Sequence, residues 1–283
     1  MRPIRVAIQL HPQHGAYAGL RAAVARAEEL GADLVYNWDH FFPLYGDPDG
    51  AHFECWSMLA AWAEQTSRIE LGPLVTCNSY RNPQLLADMA RTVDHISGGR
   101  LVFGIGSGWF ERDYHEYGYE FGTTGSRGRA LAAALPAIRR RWELLNPPPL
   151  RRMPVLVAGT GEQITLRVVA EHADIWHAAF PERADQLVPK VEALERWCEE
   201  LGRNPGEIER SVGIEPDDLE RFLREDAATY VELGFTQFTL GVNGPDWKLG
   251  REVEEWLAWR NGRNAGGQPY EISSSKLPSG SRK

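Results

Sequence analysis

The sequence predicts a closed (β/α)8 barrel of the α/β class with short insertions. Three observations carry that expectation. Short apolar runs alternate one by one with segments of helical period from residue 4 to 261, making eight strand–helix units. No linker divides the series, because Asn146-Pro147-Pro148-Pro149 is short enough to be a turn between a helix and the next strand. The chain of 283 residues is also within the length that such barrels reach undivided. An open doubly wound sheet would show the same local alternation, but the regular run of eight single units favours closure.

Taken in order, Ile4 to Leu10 is the first strand, followed by a helix over Tyr17 to Leu30 with Leu20, Ala23, Val24, Ala27 and Leu30 at helical spacing. Gly31 ends that helix by supplying a left-handed residue, as Gly234 does after Leu233 late in the chain. Asp33 to Tyr36 is the second strand. The spacing then predicts helix Phe53 to Thr66 with strand Ile69 to Thr76, helix Pro83 to Ile96 with strand Leu101 to Ile105, and helix Ser126 to Leu145 with strand Val155 to Ala158. Helix Glu162 to Glu171 precedes strand Ala173 to His177, and helix Arg183 to Leu201 precedes strand Ser211 to Glu215. Strand Phe235 to Leu240 and helix Pro245 to Asn261 close the series. One barrel domain is therefore expected over 1–264. Residues 265–283, with Ser273-Ser274-Ser275, a basic finish and no apolar period, are expected to be a flexible tail or an appended remnant.

The bulk numbers narrow the class of partner. With 43% hydrophobic and 25% charged residues the chain has material for a large core. A formal net charge of −8 argues against a nucleic-acid platform, which carries a basic face. No stretch approaches the roughly 18 apolar residues of a membrane span, and Met1 to Ile8 is too short and polar for a signal-peptide core. Cys55, Cys77 and Cys198 are widely separated and suggest neither a disulfide framework nor a zinc set. A cytoplasmic protein with a small-molecule partner is expected, with no nucleic acid and no membrane; a homodimer stays open.

Polar and glycine-rich groups gather at the carboxyl ends of the predicted strands, the face of a barrel where chemistry is done. Asp39 and His40 follow the second strand beside Trp38 and Phe41, two titratable groups where an apolar run stops, though an aspartate there would also serve as a helix cap. His11 and His14 follow the first strand. Gly72 to Ser79 passes from apolar to small polar residues. Gly104-Ile105-Gly106-Ser107-Gly108-Trp109 lets backbone approach a ligand closely, without completing a dinucleotide fingerprint. Ala158-Gly159-Thr160-Gly161-Glu162 lies between strand and helix, where free amides receive a phosphate, or forms a plain turn. There is no nucleophile elbow, and Asp39, His40, His52 and His177 lack the compact spacing of a metal set, so no metal is expected. Arg139-Arg140-Arg141 reads as a solvated helix face.

Together these segments resemble the luciferase-like, flavin- and deazaflavin-dependent oxidoreductases, a (β/α)8 family, over residues 4 to 260. The residues that carry the resemblance are Trp38-Asp39-His40-Phe41, Leu71-Gly72 with Val75-Thr76, and Ser79-Tyr80-Arg81-Asn82-Pro83. Ile96 to Arg100, Gly104 to Glu111 and Val155 to Glu162 complete the match. The wording is most similar to members that use the deazaflavin coenzyme F420, with flavin mononucleotide (FMN) as the alternative. The resemblance implies that Asp39, Leu74, Val75 and Thr76 adjoin the cofactor ring, with a cis peptide between Leu74 and Val75. It likewise makes Gly106, Ser107 and Gly108, with Gly159, Thr160 and Gly161, the phosphate cradle. Trp109 stands where the family's sugar-phosphate dehydrogenases have a glutamate, and Leu44 where they have a tryptophan, so a substrate other than glucose 6-phosphate is expected. The loop from Glu215 to Asp218 and the segment from Gly108 to Val155, expected to hold one helix, look trimmed, which implies an open pocket.

His40 is the expected catalytic residue, because an imidazole can exchange a proton near neutral pH. Neighbouring residues leaving a strand point to different sides. Asp39 is therefore expected to meet the cofactor and His40 the substrate, without forming a dyad with each other. The reading is hydride transfer between F420 and a small organic substrate. An FMN-dependent monooxygenase on the same scaffold is the alternative, and a non-catalytic cofactor-binding barrel is the alternative of another class.

Overall fold

In the computed structural model, residues 2–181 and 183–266 are described. The tail expected at 265–283 lies, from residue 267 on, outside the described residues. Nine strands form one sheet: β1 (Arg5–Leu10), β2 (Leu34–Asn37), β3 (Glu70–Pro73), β4 (Thr76–Cys77), β5 (Phe103–Gly106), β6 (Val155–Ala158), β7 (Ile175–His177), β8 (Glu209–Ile214) and β9 (Phe235–Val242). Every pairing is parallel, in the order β3-β2-β1-β9-β8-β7-β6-β5-β4.

The two ends of that order are halves of one chain segment, so the nine strands are eight staves of a nearly closed barrel. The third stave, expected as a single strand over Ile69 to Thr76, is broken at Leu74–Val75, whose peptide is cis as the resemblance implies. Its first half pairs with β2 and its second with β5. A bridge between Leu71 and Leu101, in which Val102 N donates to Leu71 O at 2.9 Å, draws the seam together.

The alternation of each strand sorts its side chains to two sides. Val6, Ile8 and Leu10 of β1 face outward into the large core shared with the helices, while Ala7 turns inward with Leu34, Tyr36, Val102, Leu156 and Ile175. Tight packing explains two glycines at the seam: a Cβ on Gly72 would lie 2.2 Å from Val102 O, and one on Gly104 would lie 2.0 Å from Pro73 O.

Helices over Tyr17–Leu30, Cys55–Gln65, Pro83–Ile96, Thr124–Leu144 and Val188–Glu200 fall within a few residues of expectation. Their ends have local causes. Gly31 takes φ 82, Glu54 accepts from Trp56 N and Ser57 N, Asn82 accepts from Gln84 N, and Thr123 forms a reciprocal cap with Ser126. One element beside the cavity has no counterpart in the sequence reading. A helix over Glu111–Tyr117 stands in the segment expected to hold only one, with Glu111 and Asp113 in its first turn and Gly118 at φ 73 behind it. Its seven residues are too few to show a period. The helix expected from Pro245 begins at Arg251 and runs to Asn264. Among the described residues no helix is long and apolar enough to cross a membrane, and the three cysteines are free and buried.

Candidate active site

A cavity of about 730 Å³ opens at the carboxyl ends of the strands, within the usual size of a small-molecule site. Every stave contributes to its wall. Gln9 and His11 come from β1, Asp39 and His40 from beyond β2, Leu74 and Val75 from the broken third stave, and Gly106 to Trp109 from the end of β5. Ala158 ends β6 and Gly159 follows it; His177 ends β7, with Ala179 and Phe180 beyond; Glu215 and Asn243 follow β8 and β9.

His40 sits among three rings met edge-on, Trp38, Trp109 and Phe110, at centroid distances of 5.9, 5.6 and 5.5 Å. Its Nδ1 lies 2.7 Å from Oδ2 of Asp113, a carboxylate with no exposed side-chain surface. Tyr80 OH donates to the same oxygen at 2.8 Å, and Phe41 N donates to Oδ1 at 3.0 Å. Because a carboxylate only accepts, this geometry places the proton of a neutral His40 on Nδ1 and leaves Nε2 for exchange. Asp113 was missed in the sequence because the short helix that carries it was missed. The signal was an acid in the first turn after a glycine-rich strand end.

Asp39 has a different partner set. Arg81 donates to Oδ2 at 2.5 Å and to Oδ1 at 3.1 Å, Thr76 Oγ1 donates at 2.6 Å, and Cys77 N donates at 3.0 Å. Burial works against the charge of Arg81, but the adjoining Asp39 outweighs it and holds the guanidinium pKa above its ordinary value. Asp39 and His40 thus point into separate networks. Asp39 borders the cavity with both oxygens already engaged, and serves to tie β4 to the end of β2.

Thr76, expected beside the cofactor, is wholly buried and outside the lining of the cavity, since its hydroxyl donates to Asp39 and accepts from Trp56 Nε1 at 3.0 Å. Leu74, Val75, Gly106, Ser107, Gly108 and Gly159 do line it, whereas Thr160 and Gly161 stand beyond the lining on the same loop. At Gly108, with φ 81, a Cβ would fall 1.9 Å from Tyr114 OH, so only glycine fits there.

Two buried histidines belong to the wall. His11 stacks on Trp38 at 4.2 Å, and its Nδ1 lies 2.6 Å from both Tyr45 OH and Asn243 Oδ1. Burial pulls its pKa down to about 4, the Asn243 contact opposing. His177 contacts Ser211 Oγ at 2.9 Å, and burial lowers its pKa to about 3. Both are neutral at pH 7. Gln9, also missed in the sequence, donates to Leu74 O at 2.8 Å while its Oε1 has no partner among the described residues. The available signal was alternation: Gln9 falls on the side of Ala7, opposite Val6, Ile8 and Leu10, which places it inside the barrel. His14 turns away and contacts Tyr45 O, and His52 accepts from Trp38 Nε1 at 2.9 Å. Among the described residues no three metal-ligating side chains gather as an ion would require.

A parallel eight-staved barrel with a ligand-sized pocket at its carboxyl ends defines the class. Within that class the chain belongs to the luciferase-like monooxygenase family, whose sequence profile matches residues 1–217, and it is accordingly an oxidoreductase by family. An F420-dependent glucose-6-phosphate dehydrogenase of Amycolatopsis mediterranei is 33% identical over 120 residues, 41% of this chain and only 35% of that one. The phthiodiolone/phenolphthiodiolone dimycocerosates ketoreductase of Mycobacterium tuberculosis is 27% identical over 276 residues, covering 82% of this chain and 71% of that one. Among solved structures, an F420-dependent secondary alcohol dehydrogenase in complex with an F420–acetone adduct superposes with a TM-score of 0.75 at 18% identity, covering 86% of this chain and 94% of the other. The coenzyme F420-dependent tetrahydromethanopterin reductase from Methanopyrus kandleri gives 0.68 at 16%, covering 90% and 98%. These last two are likenesses of fold.

Proposed function

We propose that this protein transfers a hydride between coenzyme F420 and a small organic substrate, with His40 giving or taking the accompanying proton. The observation that carries the reading is the setting of His40 on the cavity wall, with Nδ1 committed to the buried carboxylate of Asp113. That pairing fixes the ring's orientation and leaves Nε2 as the exchanging atom. Trp38, Trp109 and Phe110 meet the ring edge-on and leave its side chain 13% exposed.

The residues present fit a flat ring system. Leu74 and Val75 form an apolar floor where the third stave breaks, and Gln9 Oε1, on the same lining and without a partner among the described residues, suits an N–H on a ring edge. Gly106, Ser107, Gly108 and Gly159 supply backbone at the rim for a phosphodiester. When bound, the coenzyme would supply a ring carbon that donates or accepts the hydride. The F420-dependent relatives by name support this choice. The family's description as monooxygenases favours a second reading, in which FMN is bound and oxygen is the co-substrate.

Titrating the purified protein with each cofactor separates the readings. Micromolar quenching of deazaflavin fluorescence with no response to FMN is the expected result. FMN binding alone would replace this reading with the monooxygenase, and deazaflavin binding without turnover on a broad panel of alcohols, ketones and enones would leave a non-catalytic barrel.

A further inference from the structure

Charge is distributed unevenly around the cavity. Among the described residues lining it there is no lysine and no arginine. The carboxylate of Asp39 is matched by Arg81, and His11 and His177 are kept neutral by burial. Glu215 is different: among the described residues no ion pair joins it to a cation, and Arg221, on the following turn, is engaged by Asp218 at 3.1 Å and Asp226 at 3.3 Å. Glu215 is itself exposed where it lines the cavity; what desolvation it has, then the neighbouring Asp218 and Asp217, push its carboxyl above its ordinary range. Among the described residues it is a carboxylate on the cavity lining with no paired cation.

The rings near it are set as walls. The chain turns at Ala179, with φ 54, and lays Phe180 over the end of β8, where a Cβ on Gly213 would come within 2.5 Å of the ring. Gly213 and Glu215 stand two residues apart in an extended segment, so they share a side. Tyr45 lines the same cavity, 40% exposed, edge-on to His11 at 5.8 Å and to Trp38 at 6.1 Å, and close enough to Glu215 for the carboxylate to raise its pKa further once burial has done so. Aromatic faces attract organic cations, and more so beside a carboxylate in a partly desolvated pocket.

We propose that the side of the cavity formed by the ends of β7, β8, β9 and β1 recognises a positively charged amine on the substrate, with Glu215 as counter-ion and Phe180 and Tyr45 as walls. The inference deepens the oxidoreductase reading and rests on it, since it names the class of substrate that the same pocket takes. A phosphate ester or carboxylic acid finds no cation there and meets Glu215 instead.

The test is calorimetric titration of the full chain at pH 7, with and without deazaflavin, against benzylammonium, benzyl alcohol and benzoate. Benzylammonium should bind at least about tenfold more tightly than benzyl alcohol, and benzoate least well. Glu215→Gln should lower benzylammonium affinity about tenfold while leaving benzyl alcohol within about twofold. Equal binding of amine and alcohol, tighter binding of benzoate, or an amine preference that survives Glu215→Gln overturns the proposal. Amine preference without deazaflavin binding sinks the cofactor reading alone; deazaflavin binding without amine preference sinks this one alone.

Discussion

His40 and Asp39 are adjacent in sequence yet serve different networks, and their substitutions should fail in different ways. Replacing His40 by alanine removes an acid–base group from a preformed wall, so turnover should fall about 10²- to 10⁴-fold. Deazaflavin affinity should stay nearly unchanged, because His40 adds no part of the apolar floor. Steady-state rates beside a fluorescence titration check this, and full turnover in His40→Ala would end the acid–base assignment. Asp39→Ala acts on stability. It takes from Arg81, whose side chain is only 11% exposed, one of its two carboxylate partners, leaving Glu54 at 2.7 Å, and it leaves the Thr76 hydroxyl and Cys77 amide without their acceptor. Removing one partner of a buried pair costs about 3–5 kcal/mol when the other is left uncompensated; with Glu54 still on Arg81 a loss of about 2–3 kcal/mol is expected, read as unfolding free energy in urea. A loss below about 1 kcal/mol would show that the pair anchors nothing.

At the scale of elements, the broken third stave governs the site, because its break brings Leu74 and Val75 to the cavity while β3 and β4 hold opposite edges of the sheet. The seam depends on close approach of backbones. Gly104→Ala would set a methyl 2.0 Å from Pro73 O, and neither partner is a flexible side chain. A cost of at least about 2 kcal/mol is expected from such overpacking. Gly262→Ala, in the helix Arg251–Asn264 with open space around it, serves as control and should be neutral or stabilising by up to about 1 kcal/mol. Chemical denaturation of the two variants side by side decides it; equal stabilities would mean that the seam yields. The short helix Glu111–Tyr117 matters equally, since its first turn delivers Asp113 to His40.

For the whole molecule, the buried histidines couple folding to pH. His11 and His177 have native pKa values of about 4 and about 3, both pulled down chiefly by burial, against about 6.5 in an unfolded chain. Below about pH 6.5 the unfolded state binds protons that the native state refuses, so stability falls as pH drops toward 3 to 4. Each contributes a slope of up to about 1.4 kcal/mol per pH unit. Unfolding free energies between pH 7 and 5 should show the decline, and His177→Gln should remove one histidine's share. An unchanged slope in that variant would mean that His177 takes up its proton while folded.

What the sequence determined by itself was local. Apolar period, glycine stops and capping residues act over a few residues, so the eight staves, most helices and the polar groups at strand ends were all legible. Tertiary structure decided which of those groups meet. His40 and Asp113 lie 73 positions apart and Asp39 and Arg81 lie 42 apart; their contacts exist only because parallel strands bring successive loops to one face. The break in the third stave was legible only through the resemblance, which implied the cis peptide at Leu74–Val75; by period alone Leu74-Val75-Thr76 reads as ordinary strand, and only the fold shows its two halves pairing with β2 and β5. Closure of the barrel, a condition on all staves at once, buried Thr76 behind the cavity lining, set Asp39 on Arg81 and brought His40 to the pocket.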